Sequence, residues 1–308
     1  LMERALVTVD RQGQVSPLPA PSQSFRATVR ISPDGRRLAV VIRTLTEIGL
    51  WRYDLARGTL TPLASGAEAG APIWWPDGRR LVFSWVTEGH DSIATLPADG
   101  TAPPSVLVPN AALRPSSVTP NGRQLAAVRT GVDSDIMIVT VETGTARVQP
   151  LLQTPFREMW PEFSPDGRWL AYGSNESGRD EVYVRPYPGP GAAQRVSVEG
   201  GDSPAWHPKG RELFFLSLAD PAGKRRMMAV AFEAGSPPHV GTPRALFAFD
   251  PRDLVLVCTP VRCYDVAPDG QRFYGAQLKV PPPPPVVTHI NLIQNWFEEL
   301  KAKVPTGR

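Results

Sequence analysis

The stretch Phe163-Ser-Pro-Asp-Gly-Arg-Trp-Leu-Ala-Tyr172 decides the fold, because the chain says it six times. It reads first as Ile31-Ser-Pro-Asp-Gly-Arg-Arg-Leu-Ala-Val40 and then as Trp74-Trp-Pro-Asp-Gly-Arg-Arg-Leu-Val-Phe83. Val118-Thr-Pro-Asn-Gly-Arg-Gln-Leu-Ala-Ala127 precedes the quoted copy. Trp206-His-Pro-Lys-Gly-Arg-Glu-Leu-Phe-Phe215 and Val266-Ala-Pro-Asp-Gly-Gln-Arg-Phe-Tyr-Gly275 follow it. Proline presets φ at the first corner of a turn, and Asp-Gly or Asn-Gly supplies the positive φ that closes a hairpin. Each copy is therefore a strand, a tight turn and a second strand.

The glycines of the phrase fall at 35, 78, 122, 167, 210 and 270, so the spacings are 43, 44, 45, 43 and 60. A period of about 40–45 residues with strand content is that of a four-stranded propeller blade. A third strand follows in the first five copies, at 50–53, 92–95, 135–139, 181–184 and 227–231, and a turn then leads to a short fourth. The last gap holds roughly 15 residues beyond the period, which we place around 220–259. The expected fold is all-β: a six-bladed propeller of four-stranded blades, with seven blades as the alternative if the extra residues and the tail build another sheet.

Composition agrees. The 308 residues include 35 Pro and 26 Gly, a density no long helical domain tolerates, and 42% apolar residues, enough to build a core. The formal net charge of +3 is too small for a nucleic-acid polyelectrolyte binder. No apolar run is long enough to span a bilayer, and no signal peptide opens the chain. Residues 5–18 copy the second half of a blade with no first half before them. We therefore expect this hairpin to complete the last blade and to close a propeller of residues 1–294. Residues 287–292 read as a further strand. Residues 281–285 are five prolines, a stiff spacer, and Asn295-Trp-Phe-Glu298 resembles a capping box that opens a short helix in a tail of residues 295–308.

The Ser-Pro-Asp-Gly-Arg-x-Leu-Ala repeats resemble the TolB-type, WD40-like (PD40) β-propellers. The likeness is nearest to the propellers at the C-terminus of bacterial eukaryotic-like serine/threonine kinases. Residues 7–13, 163–186 and 295–301 carry it. The resemblance implies a propeller that follows a kinase domain and a membrane anchor and lies outside the cytoplasm. The kinase motifs themselves are missing from this sequence: there is no Gly-rich loop with a downstream Val-Ala-Ile-Lys, no His-Arg-Asp and no Asp-Phe-Gly.

No Gly-x-Ser-x-Gly elbow, His-Glu-x-x-His, EF-hand loop or Walker loop occurs either. His90, His207, His239 and His289 stand at no ligand spacing. His207 takes the Ser/Thr place of the phrase, where hydrogen bonding to the turn is the simplest role, and it is also the candidate base if the protein is catalytic. Aligning the repeats places Arg30, Ile73, Ser117, Glu162, Ala205 and Asp265 around the axis. The loops entering the innermost strands add Arg26, Glu68, Arg114, Glu158, Asp202 and Arg262, read as a ligand-binding channel mouth. Glu158, Glu162, Asp202 and Asp265 are the candidate ligands for Ca²⁺, a hard cation that takes six to eight oxygens. The arginines of the same set speak instead for internal ion pairs. Cys258 and Cys263 flank Pro260 and form either a disulfide or two free thiols. The arginine pairs after each turn are read as solvated, with an anionic partner as the lesser reading.

The expected function is a non-catalytic ligand- or protein-binding propeller, the sensor or scaffold module of a bacterial regulatory protein. It is expected to act as a monomer, to carry no membrane segment of its own and to bind no nucleic acid. The alternative is a calcium-dependent hydrolase of esters, lactones or phosphotriesters with its site in the central channel.

Overall fold

A computed structural model describes residues 2–279, apart from 132, 143, 144 and 236, together with Lys303. The expected strand at 287–292, the proline spacer and the tail helix lie outside these residues, Lys303 excepted.

Among the described residues the strands form five sheets, the eight-stranded one joining two antiparallel units through a parallel pairing of Ile48 with Glu68, so that six units result, each with an innermost strand that runs into the repeated turn. Unit 1 comprises Phe25–Ile31, Arg37–Arg43, Ile48–Asp54 and Thr59–Ala64. Unit 2 comprises Glu68–Trp74, Arg80–Thr87, His90–Pro97 and Ser105–Val108. Unit 3 comprises Leu113–Val118, Gln124–Arg129, Asp135–Glu142 and Thr145–Leu152. Unit 4 comprises Glu158–Phe163, Trp169–Ser174, Glu181–Pro186 and Gln194–Arg195. In unit 5, Asp202–Trp206 and Glu212–Leu216 precede the long strand Arg225–Glu233, which pairs with both His239–Val240 and Arg244–Phe249. The sixth unit joins the two ends of the described chain. Asp265–Val266 and Leu254–Val255 pair with Arg272–Leu278, which pairs with Arg4–Asp10, and that strand pairs with Val15–Pro17. We take each unit as one blade.

The turns explain themselves. All six phrase glycines have φ between +65° and +71°, where L side chains are disfavoured by about 1–2 kcal/mol. In unit 1 the Gly35 N–H donates to the Ser32 carbonyl at 2.8 Å, and the Asp34 carboxylate accepts from the Arg36 N–H at 3.1 Å. The glycine bond recurs in every unit at 2.7–2.8 Å.

The core lies between the units. Ala39, Leu50, Phe83 and Leu96 join units 1 and 2, and Trp75, Val82, Leu125 and Met137 join units 2 and 3. Ala126, Ile136, Phe163 and Tyr172 join units 3 and 4, and Trp169, Val182, Phe215 and Phe232 join units 4 and 5. Phe214, Met227, Val9 and Phe273 join units 5 and 6, and Leu6, Tyr274, Val29 and Leu38 join unit 6 back to unit 1. Each sheet is apolar on both faces because it has a neighbour on each. The last cluster makes the arrangement a ring, and a ring leaves an axis.

Candidate functional site

The innermost strands meet at that axis, and the turn-side end opens into a cavity of about 290 Å³ walled by residues of all six units. Exposed prolines of the phrase, among them Pro33, Pro120 and Pro165, stand at its rim. Arg30, Ile73, Ser117, Glu162 and Asp265, five of the six residues aligned to the axis, line it; Ala205 is buried and does not.

Hydrogen bonds across units fix these strands at the axis. The Trp74 indole N–H donates to the Arg30 carbonyl and the Trp206 indole to the Glu162 carbonyl, both at 3.0 Å. Ser117 Oγ accepts from the Phe163 N–H and the Asp265 carboxylate from the Ile31 N–H, both at 2.9 Å. Trp74 and Trp206, which take the same place in two copies of the phrase, also line the cavity. They are the only aromatics at that place with an N–H to donate, and that was the available signal.

The floor is ionic. Arg262, 5% exposed at its side chain, pairs with Glu162 at 3.2 Å and with Asp265 at 2.8 Å. It also donates to the Tyr264 carbonyl at 2.8 Å and to the Pro204 carbonyl at 3.1 Å. Burial alone would lower its pKa, but the facing carboxylates overcome this and raise it, so the guanidinium stays charged. Burial raises the Glu162 pKa, with Arg262 opposing. Arg30 differs: burial, then repulsion from Arg262, lowers it to about 10.

The entry-loop residues part company. Arg26, Glu68 and Arg114 line a smaller cavity of about 190 Å³ at the opposite end of the axis, roofed by Thr259, Pro260 and Val261. Cys258 and Cys263 are joined in a disulfide at the base of that roof. Trp160 holds it from unit 4, its backbone N–H donating to the Pro260 carbonyl at 3.1 Å and its indole to the Cys258 carbonyl at 2.7 Å. Arg262 follows the roof and turns down the axis, so it belongs to the floor of the first cavity. Arg114 is paired with Asp91 at 2.7 Å.

Glu158 and Asp202 line neither cavity. Glu158 is buried, accepts from the Thr154 hydroxyl at 2.5 Å, and has a pKa raised by burial. Asp202 is buried against Arg225. The four carboxylates aligned as calcium ligands are therefore not gathered. Glu162 and Asp265 share Arg262, Asp202 has Arg225, and Glu158 stands apart. Among the described residues no group of three or more His, Cys, Asp and Glu is placed to hold a metal ion. His207 caps its own turn: Nδ1 accepts from the Lys209 N–H at 3.0 Å, and the ring packs on Gly270. Its pKa is lowered by burial.

One feature had no sequence signal. Ala71, Trp160 and Ser203 stand seven residues before the phrase glycine and have φ of 45–55°, beside a register shift in each innermost strand. Such bulges re-aim side chains, and here they set the residues that follow onto the axis.

No protein-family model matches the chain, and no curated protein matches it. Among solved structures it is similar to a TolB candidate from Agrobacterium tumefaciens, at 19% identity over 91% of this chain and 99% of that one, with a TM-score of 0.73. TolB from Acinetobacter baumannii is similar at 15% identity over 90% of this chain and 65% of that one, with a TM-score of 0.59. An oligogalacturonate lyase solved in complex with manganese is similar at 14% identity over 91% of this chain and 97% of that one, with a TM-score of 0.55. At these identities the likeness is one of fold, and the fold is that of a TolB-type, WD40-like β-propeller.

Proposed function

We propose that this propeller is a non-catalytic binding module, the sensor or scaffold part of a bacterial regulatory protein, and that its ligand enters the axial cavity at the turn-side end. One observation carries the reading: a cavity built by all six units ends on a floor where Glu162 and Asp265 already hold Arg262. Such a floor offers recognition without a nucleophile–base pair. The disulfide loop lines the opposite end, where the cavity is smaller, and the turn-side cavity is the one walled by all six units. The disulfide also favours an extracytoplasmic setting, since such bonds persist in oxidising compartments. No helix among the described residues is long and apolar enough to cross a membrane.

The calcium-dependent hydrolase remains the second reading, because propellers host enzymes as well as binders and the similar lyase structure shares this fold. Against it stands the engagement of Glu162, Asp265 and Asp202 by arginines. The two readings separate in an assay of the purified chain with chromogenic ester, lactone and phosphotriester substrates, with added Ca²⁺ and with chelator. Binding alone predicts the blank rate in both conditions. Chelator-sensitive turnover that disappears in Glu162→Gln or Asp265→Asn would overturn the proposal.

A further inference from the structure

Arg30 is the arginine of the axial cluster that has no direct ion pair among the described residues, although Asp265 and Glu162 lie near enough to favour its charge. It is 4% exposed and lines the turn-side cavity. Its Nη1 donates to the Val29 carbonyl at 3.0 Å and to the Tyr264 carbonyl at 3.4 Å, while Nε is buried without any partner. Among the described residues it has no ion pair, because Arg262 takes the direct contacts of both nearby carboxylates. A buried donor left without a partner needs an explanation, and a ligand at the site is one.

The surroundings define what would satisfy it. The cavity wall is mixed: Ile31, Val118, Trp74 and Trp206 are apolar, Glu162 and Asp265 line it while held by Arg262, and Ser117 adds a hydroxyl whose oxygen accepts from the Phe163 N–H. Around the opening, Arg36, Arg79, Arg123 and Arg211 are exposed and have no side-chain partner among the described residues. The turn carboxylates Asp34, Asp77 and Asp269 pair instead with Arg37, Arg80 and Arg272. In the two remaining turns Arg168 pairs with Asp166 and the place is taken by Gln271, so four exposed arginines on the turns of this end favour anions there.

We propose that the axial cavity takes a small organic carboxylate, an anion with an apolar body, and that Arg30 receives the carboxylate while Trp74 and Trp206 flank the body. The planar guanidinium suits a carboxylate, which it can grip with two parallel N–H groups. The inference rests on the axial-binding reading and narrows it to a ligand class.

The test uses the full chain, with benzoate and phenylacetate as probes and benzamide as the neutral isostere. Calorimetry measures affinity, and the indole N–H signals of Trp74 and Trp206 report the place. The carboxylates should shift both indoles, and benzamide should bind at least about tenfold more weakly. Arg30→Gln should weaken benzoate by a similar factor. Equal binding of benzoate and benzamide at the two indoles, or unchanged benzoate affinity in Arg30→Gln, would overturn the carboxylate assignment and leave axial binding standing. So would inorganic phosphate binding more tightly than benzoate. If no probe shifts either indole, the anion site and the axial reading fall together.

Discussion

At the scale of single residues, the molecule turns on what each repeated position must do locally. Gly270 shows it. Its φ is +67°, and a Cβ there would meet His207 Nε2 at 1.9 Å, whereas a Cβ on Gly210 would meet only Pro165 Cδ at 3.8 Å. Gly210→Ala should therefore cost about 1–2 kcal/mol, the left-handed penalty alone. Gly270→Ala should cost a further 1–3 kcal/mol or so from overpacking. Urea unfolding of the two variants checks the order, and equal losses would remove His207 from the account. Glu158 gives a pH dependence. Its folded pKa is raised by burial, so the folded state holds the proton more tightly than the unfolded chain. Stability from this group is present at low pH and is lost as pH rises from the ordinary carboxylate range through the folded value. The Tm of the native chain relative to Glu158→Gln should fall as pH is raised across that window, and a rise would contradict the burial argument. The turns were legible in the sequence because φ > 0 is demanded locally and glycine answers it locally. The fates of Glu158 and Asp202 were not. Alignment gives them the same place as Glu68, and their partners, Thr154 for Glu158 and Arg225 for Asp202, are not fixed by the repeat.

Elements between the repeats carry the parts least visible beforehand. The interval before Gly270 was seen to be too long, and its excess was placed around 220–259. The structure uses it for the long strand Arg225–Glu233 with its two partners and for the loop that carries the disulfide over the axis. Spacing reveals an insertion, but not which cavity it roofs. Of the two readings left open for the cysteines, the structure has the disulfide. Cys258→Ser with Cys263→Ser should cost about 2 kcal/mol by the chain-entropy model for so short a loop. It should also raise amide exchange at Val261 and Arg262, since the roof positions both. If exchange there is unchanged while stability falls, Arg262 is held by Glu162 and Asp265 alone. Trp160→Phe tests the other anchor. Loss of the indole bond to the Cys258 carbonyl should cost about 1 kcal/mol, with faster exchange confined to the same loop.

At the scale of the whole molecule, the period of the phrase was enough to read an all-β propeller, because each sheet needs a neighbour on both faces and tandem copies supply it. Closure is a different matter, since it depends on residues at opposite ends of the described chain. Arg4–Asp10 lies against Arg272–Leu278, and Leu6 and Tyr274 pack with Val29 and Leu38 of unit 1. Removing residues 2–18 should leave Phe273 and Tyr274 without their cover and break cooperative unfolding, seen as loss of a single calorimetric transition; a retained single transition would show that the ring does not depend on this hairpin. The central claim is that the ring exists to offer its axis. A crystal of the full chain soaked with a mixture of small aromatic acids and their amides addresses it most directly. The account predicts ligand density between Trp74 and Trp206 in the turn-side cavity, with an acid group against Arg30. Density confined to the outer edges of the sheets, with that cavity left to solvent, would contradict it.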